Sequence, residues 1–179
     1  MSDATVVPAD SPPPIAPQEA GLGASAVQRA VEFAIATGAS QMIVLAHGGT
    51  VADVCTDAEP GAAADVFAIQ KSIFAILFGM AQARGMIGLD ESLSDLLGAG
   101  WSRLAPHQER EVLIRHVMTM TTGMSDQLEA LGVLGETWRY NNVAYGLLKE
   151  GFCARMGMDL TTLTHAWLGE RLGLRDTHW

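Results

Sequence analysis

The longest apolar stretch, Ile73-Phe74-Ala75-Ile76-Leu77-Phe78-Gly79-Met80-Ala81, is hydrophobic on every face at helical spacing. A helix of that kind belongs in a core, so the pattern predicts a buried helix from about Asp65 to Arg84. Upstream, Val27, Ala30, Val31 and Phe33-Ala34 fall on one side of a helix that Ser25 can cap and that runs to about Thr37, with Gly38 ending it. The period then changes. Gln41-Met42-Ile43-Val44-Leu45-Ala46 reads as a buried strand, Gly48-Gly49 as a hairpin turn, and Thr50-Val51-Ala52-Asp53-Val54-Cys55 as the returning strand. Glu59-Pro60-Gly61 marks a loop before the buried helix.

From Leu89 onwards the pattern is helical with short loops. Asp90 to Leu97 gives a short amphipathic turn or helix ended by Gly98. Pro106 to about Thr121 gives one helix, with proline near its start and an acidic first turn, stopped at Thr121-Thr122-Gly123. Residues 142 to 156 and 160 to 172 give two more, closed by Gly157 and Gly173. Residues 1 to about 23 are rich in Pro, Ala, Ser and Asp and bury too little to offset ordering, so they read as a disordered leader before a domain spanning 24–179.

Composition narrows the function. With 49% hydrophobic residues in 179, one domain with a real core is expected. The balance of 11 Lys plus Arg against 20 Asp plus Glu contains no basic stripe, which excludes a general affinity for nucleic acid or anionic lipid. Cys55 and Cys153 lie far apart in apolar contexts and read as buried thiols, with no disulfide framework. No metal-ligand spacing occurs, and neither a metal nor a cofactor is expected. No secretory signal and no apolar run of membrane-spanning length is visible, so the expected location is the cytoplasm.

Lys71 is the residue that demands an explanation. In the first turn of an apolar helix, burial and the positive end of the helix dipole both disfavour an ammonium. A neutral amine there is a general base, and position 68 lies three residues earlier on the same face, where a serine would be the nucleophile it activates. The chain has Ala68. The alternative for Lys71 is a stem lying in the core with its head at the surface.

Three segments occur in order: the position-68 turn with Lys71; Val112-Leu113-Ile114-Arg115-His116-Val117-Met118-Thr119-Met120-Thr121-Thr122-Gly123-Met124; and Trp138-Arg139-Tyr140-Asn141-Asn142-Val143-Ala144-Tyr145-Gly146-Leu147-Leu148. Together they resemble the β-lactamase-related serine hydrolases, namely class C β-lactamases and the related D-alanyl-D-alanine peptidases and esterases. Those proteins carry Ser-x-x-Lys at a buried helix start, a "leu-leu-thr-met-thr-ser-gly" helix end and a Tyr-x-Asn loop. The resemblance covers roughly Ala26 to Trp179, including Leu172-Gly173-Leu174-Arg175-Asp176-Thr177.

The resemblance implies an α+β, β-lactamase/transpeptidase-like fold that is incomplete here: a mostly helical region plus the N-terminal hairpin of the sheet, with the C-terminal strands absent. It implies Lys71 as the lysine that deprotonates the nucleophile, Tyr140 as the tyrosine that shares its protons, and Asn142 as the residue holding the amide or ester side of a small-molecule substrate. A phenolate needs a neighbouring cation, so Lys71 and Tyr140 would titrate together. His47, His107, His116, His165 and His178 match nothing in that chemistry and read as surface or capping groups.

Two departures change the expectation. Ala68 occupies the nucleophile's position, and no shift of register repairs it, because a nucleophilic Ser72 would need a lysine where Ala75 stands. The family's third motif, a Lys/His-Thr/Ser-Gly strand, is missing. The chain is therefore expected to be inactive as written, and the alternative reading is a non-catalytic relative that binds a ligand or a protein. The uncovered edge of the 41–46 strand is then a place for association.

Overall fold

The computed structural model describes residues 12–56, 64–174 and 177–179. They fall into two units, one drawn from the chain up to residue 65 together with 169–177, the other from 66–168 with 178–179. The class is α+β, mostly helical, with one two-stranded antiparallel sheet.

In the first unit, α1 (Ala24–Ala36) is capped by Gly23 without a side-chain bond, so Ser25 lies inside the helix and not at its cap. Its apolar side is also less covered than the pattern predicts, with Phe33 71% exposed. Strands β1 (Gln41–Ala46) and β2 (Gly49–Cys55) form the expected hairpin, but the turn is His47-Gly48. Both residues have positive φ, +49° and +77°, as a two-residue turn of this hand requires. Gly49 serves the strand instead, since a Cβ on it would lie 2.6 Å from Ile15 Cγ2. A bulge at Val51 follows, because Val44 pairs with Ala52 while Leu45 pairs with Thr50.

Strand β1 is not the buried strand expected: Ile43 and Leu45 are 51% and 59% exposed, and among the described residues its only sheet partner is β2. Cys55 is likewise exposed and not a buried thiol; both cysteines are free. The expected disordered leader is corrected for residues 12–23, which have a defined path. The Ile15 N–H donates to Thr50 O at 2.9 Å, the Thr50 N–H to Pro13 O at 2.8 Å, and Ala20 is buried in the turn that follows. Prolines exclude a helix there but leave carbonyls able to line a sheet edge. Residues 1–11 and the Glu59-Pro60-Gly61 loop lie outside the described residues.

The second unit holds the core. Helix α2 (Gln70–Ala83) buries Phe74, Leu77, Phe78 and Ala81, the i, i+3, i+4, i+7 stripe of a one-sided helix. It is not covered all round, for Ile76 is 50% exposed. Full burial of each large side chain in that stripe stabilises the fold by roughly 1.5–3 kcal/mol. Helix α3 (Ser94–Leu97) ends at Gly98, whose φ is +83°.

The single helix expected from Pro106 to Thr121 is two, α4 (Pro106–Glu111) and α5 (Ile114–Met118). Val112 and Leu113 are extended between them because the 89–93 segment bonds to the backbone on either side of Leu113. The Leu93 N–H donates to Val112 O, the Ile114 N–H to Glu91 O and the Arg115 N–H to Leu89 O, all at 2.9–3.0 Å. A tertiary ladder has overridden helical periodicity. Helix α6 (Asn142–Met156) has the predicted bounds, closed by left-handed Gly157. The last predicted helix is α7 (Leu160–Thr164), a π-helical turn over His165–Gly169, and α8 (Glu170–Leu172), of which residues from 169 onwards belong to the first unit. No helix among the described residues is long and apolar enough to cross a membrane.

Two polar side chains hold this unit together where the pattern is silent. Glu109 is buried and accepts bonds from the Gly100 N–H (2.7 Å), the Ser102 N–H (3.1 Å) and the Ser102 hydroxyl (2.9 Å). Hydrogen bonds to a charged acceptor contribute more than neutral ones. Glu109→Gln keeps the volume but turns an amide donor towards those donors, and should cost about 2 kcal/mol in chemical denaturation. An unchanged midpoint would show that Glu109 is not structural.

His116 caps α5 from inside, its Nδ1 accepting the Leu113 N–H at 3.1 Å, which only an unprotonated Nδ1 can do. Burial first, and the Arg115 charge second, hold its pKa below the ordinary histidine value. The folded pKa is depressed, so this contribution to stability is fully present above the unfolded pKa of about 6.5 and is lost as pH falls below it. The melting temperature should therefore drop between pH 7.5 and 5.5, and by less in His116→Gln, whose amide oxygen can accept the same bond. Equal drops in both proteins would rule His116 out.

Candidate active site

The start of α2 carries no side-chain cap of its own. A 3₁₀ turn, Phe67–Ile69, leads into it. Phe67 has φ +46°, a conformation that costs a non-glycine residue of order 1–3 kcal/mol. Ala68 lies exposed in this turn, three residues before Lys71.

The start of α6, by contrast, is anchored from within. Asn141 is 1% exposed and all its side-chain polar atoms are used. Its Oδ1 accepts the Ala144 N–H at 2.9 Å, capping the helix, and its Nδ2 donates to Ser125 O at 2.9 Å and Met124 O at 3.3 Å. The Arg139 N–H donates to Met120 O at 2.8 Å. The loop after α5 is thereby tied to Arg139 and Asn141, and Asn141 stands between Tyr140 and Asn142 in the chain. Gly123 permits the close path: its φ is +64°, and a Cβ would sit 2.6 Å from the Gly132 carbonyl oxygen.

One stripe of α6, Asn142, Tyr145 and Lys149, then clasps the first turn of α2. The spacings of three and four put these side chains on one helix face. The Lys71 Nζ donates to Asn142 Oδ1 at 2.9 Å. The Tyr145 hydroxyl donates to Lys71 O at 3.3 Å. The Lys149 Nζ donates to Gln70 Oε1 at 2.7 Å. Beneath this polar layer Phe74 meets Tyr145 and Phe152 edge-on, with centroids 5.5 and 5.1 Å apart. Such pairs each contribute about 0.5–1.5 kcal/mol beyond burial. The clasp stands on an aromatic floor.

Lys71 is half-buried, its Nζ 4.9 Å from the Tyr140 ring centroid and 5.3 Å from that of Tyr145. An ammonium is attracted to both ring faces at these distances. The two tyrosines differ in kind. Burial, with the neighbouring Tyr140 adding to it, pushes the Tyr145 phenol up to about 12, so Tyr145 stays protonated and donates. Tyr140 is 42% exposed and open to a ligand.

Of the residues singled out in the sequence, Lys71, Tyr140 and Asn142 come together, with Ala68 one turn before Lys71. His47, His107, His116, His165 and His178 make no contact with these three in any hydrogen bond described above. The pattern missed Asn141, Tyr145, Gln70 and Lys149. A compositional signal was there: the chain has only two lysines and two tyrosines, and all four belong to this cluster. Among the described residues no group of histidine, cysteine and carboxylate side chains is arranged to hold a metal ion.

A family model described as Beta-lactamase matches residues 24–179. No curated protein matches the chain.

Proposed function

The chain belongs to the Beta-lactamase family, and on that premise we propose that its site is an acyl-transfer centre disabled at the nucleophile. The observation that supports this is the Lys71 amine, 2.9 Å from Asn142 Oδ1 and 4.9 Å from the Tyr140 ring centroid, one turn after position 68. With serine at 68, its hydroxyl proton passes to the Lys71–Tyr140 pair as the oxygen attacks the carbonyl of a small ester or amide. The bond to the leaving group breaks, that group takes the proton, and water then hydrolyses the acyl-enzyme by the reverse relay. Asn142 spends Oδ1 on Lys71 and offers Nδ2 to the substrate carbonyl side. Ala68 has a methyl group and no lone pair, so the first covalent step does not occur.

A second reading is that the protein binds such a molecule without cleaving it. What favours it is that the Lys71 contacts to Asn142, Tyr140 and Tyr145 are made without any hydroxyl at residue 68. One experiment addresses both. The protein and its Ala68→Ser variant are incubated with an acylating β-lactam and with a fluorophosphonate, then weighed by mass spectrometry. Acylation of the variant alone, mapped to residue 68, supports the disabled centre, and no adduct on the variant refutes it. Saturable, non-covalent binding of the β-lactam by the parent supports the second reading, and its absence removes that reading.

A further inference from the structure

The lysine that the acyl-transfer reading does not use is Lys149. It lies seven residues after Asn142 on the same face of α6, and its Nζ donates to Gln70 Oε1 at 2.7 Å. Gln70 is the first residue of α2 and the immediate neighbour of Lys71. We infer that Lys149 is a positioning residue of this site: through Gln70 it fixes the turn that carries Lys71, so that the amine stands against Asn142 and over Tyr140. The inference rests on the acyl-transfer reading for what that positioning serves.

Three observations carry it. The start of α2 has no side-chain cap and follows a 3₁₀ turn, and its first turn takes three bonds from another helix. Those bonds come from one α6 stripe, and Lys149 supplies the shortest of the three. The second observation is cost. Lys149 is half-buried and faces a second cation: burial first and the Lys71 charge next hold its pKa below the ordinary lysine value, with Cys153 acting the other way. A residue needed only for packing would be better as methionine or leucine. The third is direction. The Trp179 ring, 5.3 Å from Lys149 Nζ, and the Gln70 oxygen hold that cation in place. Trp179 is itself fixed by its indole N–H to Thr164 Oγ1 at 2.8 Å. With Lys149 held there, the Lys71 Nζ stands against Asn142 and the two tyrosine rings.

The two-lysine composition makes this directly measurable. Protein labelled with ¹³C-lysine gives two Cε signals, assigned with Lys71→Met and Lys149→Met. Lys149→Met should displace the Lys71 signal, and Lys71→Met should move the Lys149 titration midpoint upward. Gln70→Leu should displace the Lys71 signal in the same sense and add nothing in the double variant. A Lys71 signal unmoved by Lys149→Met, or effects of the two substitutions that simply add, would overturn the inference. Should Lys149→Met fail to fold by circular dichroism, Gln70→Leu breaks the same bond without touching α6, and an unmoved Lys71 signal there also overturns it. In the Ala68→Ser protein, Lys149→Met should lower kcat about tenfold with KM within about twofold, the pattern of a misplaced catalytic group. An unchanged kcat in an active Ala68→Ser protein overturns the inference as well. If Ala68→Ser is silent, the acyl-transfer reading fails while the lysine signals still decide the positioning role.

Discussion

Ala68→Ser should raise the turnover of a chromogenic acyl ester by at least about three orders of magnitude over the parent protein, and Lys71→Met in that background should return it to the parent level. The size follows from what a nucleophile does. Loss of the serine from another serine hydrolase costs about six orders of magnitude in turnover, leaving only what binding and polarisation provide. Restoring it should recover a large part of that, because Lys71, Tyr140 and Asn142 already stand together. The second substitution tests the route of the proton. A serine hydroxyl is a weak nucleophile until a base takes its proton, and methionine at 71 fills the same space without a basic nitrogen. Initial rates with a p-nitrophenyl ester measure both. A gain that survives Lys71→Met would mean that another group is the base. No gain at all would remove acyl transfer as the chemistry of this site.

Asn141→Ala should destabilise the helical unit by about 3 kcal/mol, the cap contributing about 1 and the stranded carbonyls the rest. Asn141 is 1% exposed, its Oδ1 caps α6 at Ala144, and its Nδ2 holds the Met124 and Ser125 carbonyls. In a protein of this length the melting temperature should fall by about 10 °C. Asn141→Asp separates the two roles. It keeps an acceptor for the Ala144 N–H but faces two carbonyls with oxygen, so it should be nearly as damaging as alanine. A mild Asn141→Asp would show that the cap alone matters and that the loop after α5 is held by other bonds. In the Ala68→Ser background both variants should also lose turnover, since Tyr140 and Asn142 flank Asn141 directly.

The candidate site was legible as far as short motifs carry it. Lys71 stands out locally as a lysine at the head of an apolar helix, whereas Tyr140 and Asn142 were singled out by the resemblance of their segment to a family motif. The bounds of α6 were legible too, its end from Gly157, which is left-handed, while the Asn141 cap at its start emerged only in the structure. The misses have another origin. Val112 and Leu113 carry helical periodicity but are extended, because the backbone of residues 89–93 bonds to that stretch. Residues 12–23 look like a leader by composition, yet Pro13 and Ile15 bond to Thr50 of β2. Lys149 is invisible as a site residue because its partner, Gln70, is 79 residues away.

The sequence by itself determined the order of the helices and hairpin, and its family resemblance determined the class of fold and singled out Lys71, Tyr140 and Asn142 as site candidates. The elements follow from side-chain period and turn residues, which act over a few positions, and the resemblance rests on three short motifs in order. Only the tertiary structure decided that α2 is covered on one face, that the stretch after Pro106 breaks into α4 and α5, and that Tyr145 and Lys149 join Lys71. Those outcomes depend on which backbone groups and charges from distant segments meet, and a buried hydrogen bond or a facing cation outweighs the small preference that local periodicity confers.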